Sequence, residues 1–204
     1  MSKIPIFIDS CAWNYLYEHE IDLARDVPGE IYAIYLTQEV EREIADIPCV
    51  GKSGADNRRL RQYIDEAVSV HKISTTSTFG FQTEDEDGSP SKYQSWSGFG
   101  QGTFQSDEDR EWYGSDRVKE QIIGKAAKSS GLSNNQADAS LAVRSFDSIV
   151  LTDERKGKSG PLRLASEQGG LIVFLREEFE PTGLALGAYL AMRRERHGVA
   201  RVPS

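Results

Sequence analysis

The stretch Ile4-Pro5-Ile6-Phe7-Ile8-Asp9-Ser10 (IPIFIDS) decides the fold class. Residues 4–8 are apolar without a helical period, the pattern of a strand buried on both faces. The run stops at an acid, Asp9. Ser10 can then cap a helix over roughly residues 11–20. A buried strand that passes directly into a helix opens a β-α unit, and the rest of the chain repeats the theme.

Pro28-Gly29 breaks the first helical region. Residues 31–36 (IYAIYL) read as a second strand. Thr37 can cap the next helix, whose first turn is acidic, where the macrodipole favours acids. Pro48 ends that helix and 51–54 is a loop. Leu60, Ile64, Ala67 and Val68 fall at helical spacing within 55–69, and 70–73 is a short third strand. Residues 74–115 read as an insertion. Regular structure resumes with a helix from Ser115 to about Ser130, ended by Gly131. Another helix opens at Asn134 and Asn135 and runs to about Phe146. Residues 149–151 (IVL) form the fourth strand, ending at Thr152-Asp153. A basic loop, ERKGKSG, leads to a helix over 161–168, a fifth strand at 171–175 (LIVFL) and a last helix over about 183–196. Apolar strands alternating with helices predict one α/β domain, 1–204, with a parallel sheet covered on both faces.

Charge and composition narrow the function. The 204-residue chain carries a net charge of −8, which seen alone argues against a polyanionic partner. The insertion, however, holds eight acids against two bases, so most of the negative charge is local to it. It also holds eight aromatic residues between Phe79 and Tyr113. Aromatics can stack on bases, but the interleaved acids would repel a phosphate backbone, so a protein-binding arm or a lid is expected there. Replacement of 74–114 by a short linker is expected to leave the domain folded. No apolar run is long enough to span a membrane, and MSKIPIFIDS does not read as a signal peptide, so a cytoplasmic protein is expected. Cys11 and Cys49 have no metal-ligand spacing and read as reduced, buried thiols.

In an open parallel sheet, ligands bind beyond the carboxyl ends of the strands, where the strand order reverses. Asp9 ends strand one and Asp153 ends strand four. Glu39 and Glu43 lie in the first two turns after strand two, and Asp138 lies early in the helix before strand four. Asp9, Glu43, Asp138 and Asp153 can therefore converge, although whether Glu39 or Glu43 faces the cleft depends on helix phase. Carboxylates so gathered repel unless a cation neutralises them. Mg²⁺ or Mn²⁺, hard ions that prefer oxygen ligands, suit such a set, and the scattered His19, His71 and His197 are not needed. Each acid also has a plainer role: Asp9 as a helix cap, Glu43 as a solvated helix acid, Asp138 as a dipole partner, Asp153 as a turn residue. Arg155, Lys156 and Lys158, just after Asp153, suit either RNA phosphates or a solvated loop.

The segments IFIDSCAWNYL, YLTQEVEREI, NNQADASLAV and IVLTDER, in this order, resemble the PIN domain family. Matched residue by residue, the family's acidic positions fall on Asp9, Glu43 (in Val40-Glu41-Arg42-Glu43-Ile44), Asp138 and Asp153, and Ser10 resembles its small hydroxyl residue. The long insertion and the compressed Thr152-Asp153 depart from the family pattern. The resemblance implies a PIN-like three-layer α/β/α fold with strand order 3-2-1-4-5 and Mg²⁺- or Mn²⁺-dependent nuclease activity, usually on RNA. Asp9, Asp138 and Asp153 would be metal ligands and Glu43 a ligand or water-orienting base. It also implies frequent homodimers and, for some relatives, a toxin's role opposite a protein antitoxin. The alternative is a non-catalytic PIN-like interaction module that recruits a partner through the insertion. A receiver-like phosphate-handling domain is disfavoured, because IDSCA lacks the second acid of a D-x-D nucleophile motif.

Overall fold

The computed structural model describes residues 3–50, 56–79, 102–104, 106–122 and 135–197. Its centre is β1 (Ile4–Ile8), in which Ile6, Phe7 and Ile8 are all buried, as a strand covered on both faces requires. β1 is flanked by β2 (Tyr32–Thr37) and, further along the chain, by β5 (Ile149–Thr152), both parallel to it. β3 (Ser74–Phe79) lies outside β2, the short β4 (Gly102–Phe104) lies outside β3, and β6 (Ile172–Phe174) lies outside β5. All pairings are parallel. The sheet runs β4-β3-β2-β1-β5-β6. Without β4, the order is the 3-2-1-4-5 expected from the sequence.

The helices fall into two groups. α1 (Ala12–Glu18), α2 (Leu23–Asp26), α4 (Arg58–His71) and α9 (Leu186–His197) contact one another. α3 (Gln38–Ala45), α5 (Asp107–Gly114), α6 (Asp116–Ile122), α7 (Gln136–Arg144) and α8 (Pro161–Glu167) form the second. This grouping is consistent with three α/β/α layers. The core links Trp13, Tyr15 and Leu16 of α1 to Ile6, Ile8, Ile149, Leu151 and Ile172 of the sheet, all essentially inaccessible. α9 comes close enough to α2 that a Cβ on Gly187 would stand 2.3 Å from the Asp26 carbonyl oxygen. Among the described residues, no helix is long and apolar enough to cross a membrane.

Several sequence expectations need correction. Residues 70–73 are not the third strand: α4 continues to His71, Lys72 takes a left-handed cap (φ 52°), and Val70 is 66% exposed. The strand is Ser74–Phe79 (STTSTF), inside the stretch read as an insertion. Its β-branched threonines favour extended backbone, but its polarity removes the apolar signal by which the other strands announce themselves. β4 and α5 also lie in that stretch, and Trp112 of α5 packs edge-on against Phe146 at 5.6 Å between ring centres. A linker in place of 74–114 would therefore remove part of the sheet. Residues 80–101, which hold most of the expected insertion, lie outside the described residues, as do 123–134 with the expected helix end at Gly131. The second strand sits one residue later than expected, with Ile31 outside it and 46% exposed. Ser10 does not cap α1, whose N-cap Cys11 makes no side-chain cap bond. Thr37 does cap α3, accepting from the Val40 N–H at 3.3 Å.

Candidate functional site

Chain order reverses between β1 and β5, so the carboxyl ends of these two strands form the natural crevice of the sheet. Asp9 stands at this point and is 2% exposed. Its backbone N–H extends the strand pairing by donating to the Leu151 carbonyl at 2.9 Å. Its Oδ2 accepts from the Thr152 hydroxyl at 2.7 Å and from the Cys11 thiol at 2.9 Å. Burial holds the Asp9 carboxyl above the usual carboxylate range; the two hydrogen bonds pull against this, and the charges of Glu154 and Glu43 add to it. Cys11 is itself an organiser: its sulfur also accepts from the Asp153 backbone N–H at 3.3 Å. Burial and the neighbouring Asp9 charge push its thiol far up, so it stays protonated. Cys49, expected to be buried, is exposed, and both cysteines are free.

Glu43 reaches this point through Ser10, whose hydroxyl donates to Glu43 Oε2 at 2.6 Å and lies 3.4 Å from Asp9 Oδ1. Glu39, one turn earlier on the same face of α3, is buried and accepts from the Ser140 hydroxyl of α7 at 2.9 Å. Glu43 is the one that faces Ser10.

Asp153, directly after β5, turns aside. Both its carboxylate oxygens accept from Arg176, at 3.2 Å and 3.0 Å, and the Arg176 guanidinium lies 5.3 Å from the Tyr15 ring centre. Arg176 belongs to a single π-helical turn, Leu175–Phe179, that follows β6 at the same edge of the sheet. The next residue, Glu154, is bound to the strand end and to its own loop. Its N–H donates to Thr152 Oγ1 at 3.1 Å, its charge acts on Asp9, and its carboxylate pairs with the Lys158 ammonium. Glu154 was not singled out from the sequence. The signal was its place beside a strand-end acid, where a loop's direction decides which of two adjacent carboxylates turns in.

Asp138, in the first turn of α7, contributes its charge at Lys158, as does Asp9. Lys156 is tied to the π-turn: its N–H donates to Glu177 Oε2 at 3.1 Å and its ammonium pairs with Glu178. His19 stacks on Tyr15. Asp9 and Glu43 are thus joined through Ser10, with Asp138 and Glu154 close in charge, while Asp153 is held at the rim. Among the described residues, no three His, Cys, Asp or Glu side chains stand as a ready-made metal group. The donor chemistry nonetheless suits a hard cation: carboxylate oxygens, among them those of Asp9, whose carboxyl is raised first by burial and then by the charges of Glu154 and Glu43. No family model, no curated protein and no solved structure matches the chain.

Proposed function

We propose that this chain is a PIN-like, Mg²⁺- or Mn²⁺-dependent nuclease that hydrolyses phosphodiester bonds in RNA. The observation that carries the reading is the placing of Asp9 at the β1–β5 crossover, linked through Ser10 to Glu43. Asp9, Asp138 and Glu154 would hold the cation, with Glu43 as a further ligand or the group that orients water, and Asp153 at the rim. When bound, the cation would supply positive charge against the scissile phosphate. The chain's own residues do the rest. Thr152 and Cys11 fix the Asp9 carboxylate, so its lone pairs are already aimed before anything binds. Ser10 holds Glu43 in reach of the same point, where it can accept a proton from an attacking water. Arg155, exposed in the loop directly after Glu154, would meet a phosphate.

The test is cleavage of mixed RNA substrates with Mn²⁺, comparing wild type with Asp9→Asn, both checked for native circular dichroism. Metal-dependent cleavage by the wild type and its loss in the variant is the expected result. Equal cleavage by both would remove Asp9 from the chemistry.

One observation favours a second reading, a non-catalytic PIN-like module: Lys158 and Arg176 already pair with Glu154 and Asp153. Under that reading, neither Mg²⁺ nor Mn²⁺ moves the melting temperature at millimolar concentration.

A further inference from the structure

Lys158 occupies an unusual place for a loop lysine. The segment from Glu154 to Gly160 leaves β5 at the crevice and is pinned on its outer side by Lys156, which bonds Glu177 and Glu178 of the π-turn. Within the pinned segment, the Lys158 N–H donates to the Arg155 carbonyl at 2.9 Å, a tight turn that folds the lysine back. Its ammonium comes to rest on Glu154, and the charges of Asp138 and Asp9 act on it as well. These carboxylates come from three separate parts of the fold: the loop after β5, the start of α7 and the end of β1. The side chain is nevertheless 49% exposed. It can swing out into water while giving up little packing.

We infer that Lys158 is a resident counter-ion of the acidic crevice, exchanged for the divalent cation when metal binds. The inference rests on the proposed metal-dependent reading and adds a regulatory step to it. In the metal-free protein, the ammonium offsets the mutual repulsion of Glu154, Asp138 and Asp9. Entry of a divalent ion breaks the Lys158–Glu154 pair and sends the lysine outward. Metal affinity is thereby set below what the carboxylates alone would give, and the metal-free fold is protected from its own acids.

The experiment is Mn²⁺ titration by calorimetry and by thermal melting, with no RNA present, on wild type, Lys158→Met, Lys158→Arg and Lys156→Met. Lys158→Met is expected to bind Mn²⁺ roughly two- to fivefold more tightly than wild type, the range set by loss of a partly exposed ion pair. In chelator, it is expected to melt below wild type. Lys158→Arg keeps the cation and should bind within about twofold of wild type, and Lys156→Met, which keeps the backbone N–H bond to Glu177 and leaves the Lys158–Glu154 pair in place, should also stay within about twofold of wild type. Equal affinity in Lys158→Met and wild type, with clear binding in both, overturns the counter-ion role and leaves the metal site standing. Absence of Mn²⁺ binding in all four proteins overturns the inference together with the nuclease reading.

Discussion

The Ser10 hydroxyl donates to Glu43 Oε2 at 2.6 Å, joining the end of the central strand to the second turn of α3 across 33 residues of sequence. A serine expected to cap a helix instead bridges two acids. Ser10→Ala should therefore act on the crevice rather than on α1. A cost of about 1 kcal/mol in urea denaturation is expected from the lost hydrogen bond. The helical circular dichroism should be unchanged, because α1 has no side-chain cap to lose. A variant that loses helix signal in proportion to stability would return Ser10 to its capping role.

Asp9 makes stability depend on pH in a definite sense. Burial, reinforced by Glu154 and Glu43, raises its carboxyl above the ordinary 3.8, so the folded chain holds that proton more tightly than the unfolded one. The contribution is full below the unfolded value and is lost as pH rises through the raised native value. In chelator, Asp9→Asn should melt above wild type near about pH 8 and lose that advantage toward about pH 4, where wild-type Asp9 is protonated. A difference that stays constant across this range would show that the carboxyl is not strained by its surroundings.

Metal should stabilise the wild type by mass action. At about 100 times the dissociation constant, the gain is roughly 2.7 kcal/mol. Asp9→Asn should show a much smaller rise in melting temperature with Mn²⁺, since the buried member of the oxygen set has lost its charge. Identical rises in the two proteins would place any bound ion elsewhere.

Replacing 74–114 by a Gly/Ser linker should now fail. The change removes β3, whose Ser74, Thr75 and Thr76 pair with Tyr35, Leu36 and Thr37 of β2, and Trp112, which packs on Phe146. The expected product is aggregated or unfolded, because β2 is left with an open edge. A soluble deletion variant with a cooperative melt would mean that the sheet closes without its outer strand.

The body of the fold was legible because four of its strands are apolar almost throughout. IPIFI, IYAIYL, IVL and LIVFL each mark a strand within a residue or so of its true limits. β3 escaped because STTSTF is polar for all but its last residue, while Val70 and Ile73 imitate a strand at the end of a helix. At the crevice, Asp9 could be placed from the end of its strand, whereas the choice between Glu39 and Glu43 stayed open. Glu154 could not be placed: adjacent acids in a loop are equivalent in sequence, and the choice between them was made by Arg176, 23 residues away, which draws Asp153 outward. The bond between Thr152 and Asp9 was likewise invisible, since it depends on β1 and β5 being neighbours in register.

That pairing of Thr152 with Asp9 spans 143 residues, and it bears on the order in which the protein is made. Asp9 leaves the ribosome early, and its partners at the crevice emerge only after most of the chain has been synthesised. Until β5 settles beside β1, the first carboxylate has an open flank, and the last charges of the cleft do not yet exist. Contacts this distant in sequence also form late in folding. Under the proposed reading, such a chain would be harmless to the message that encodes it for nearly the whole of translation, and would become competent only once β5 had closed against β1.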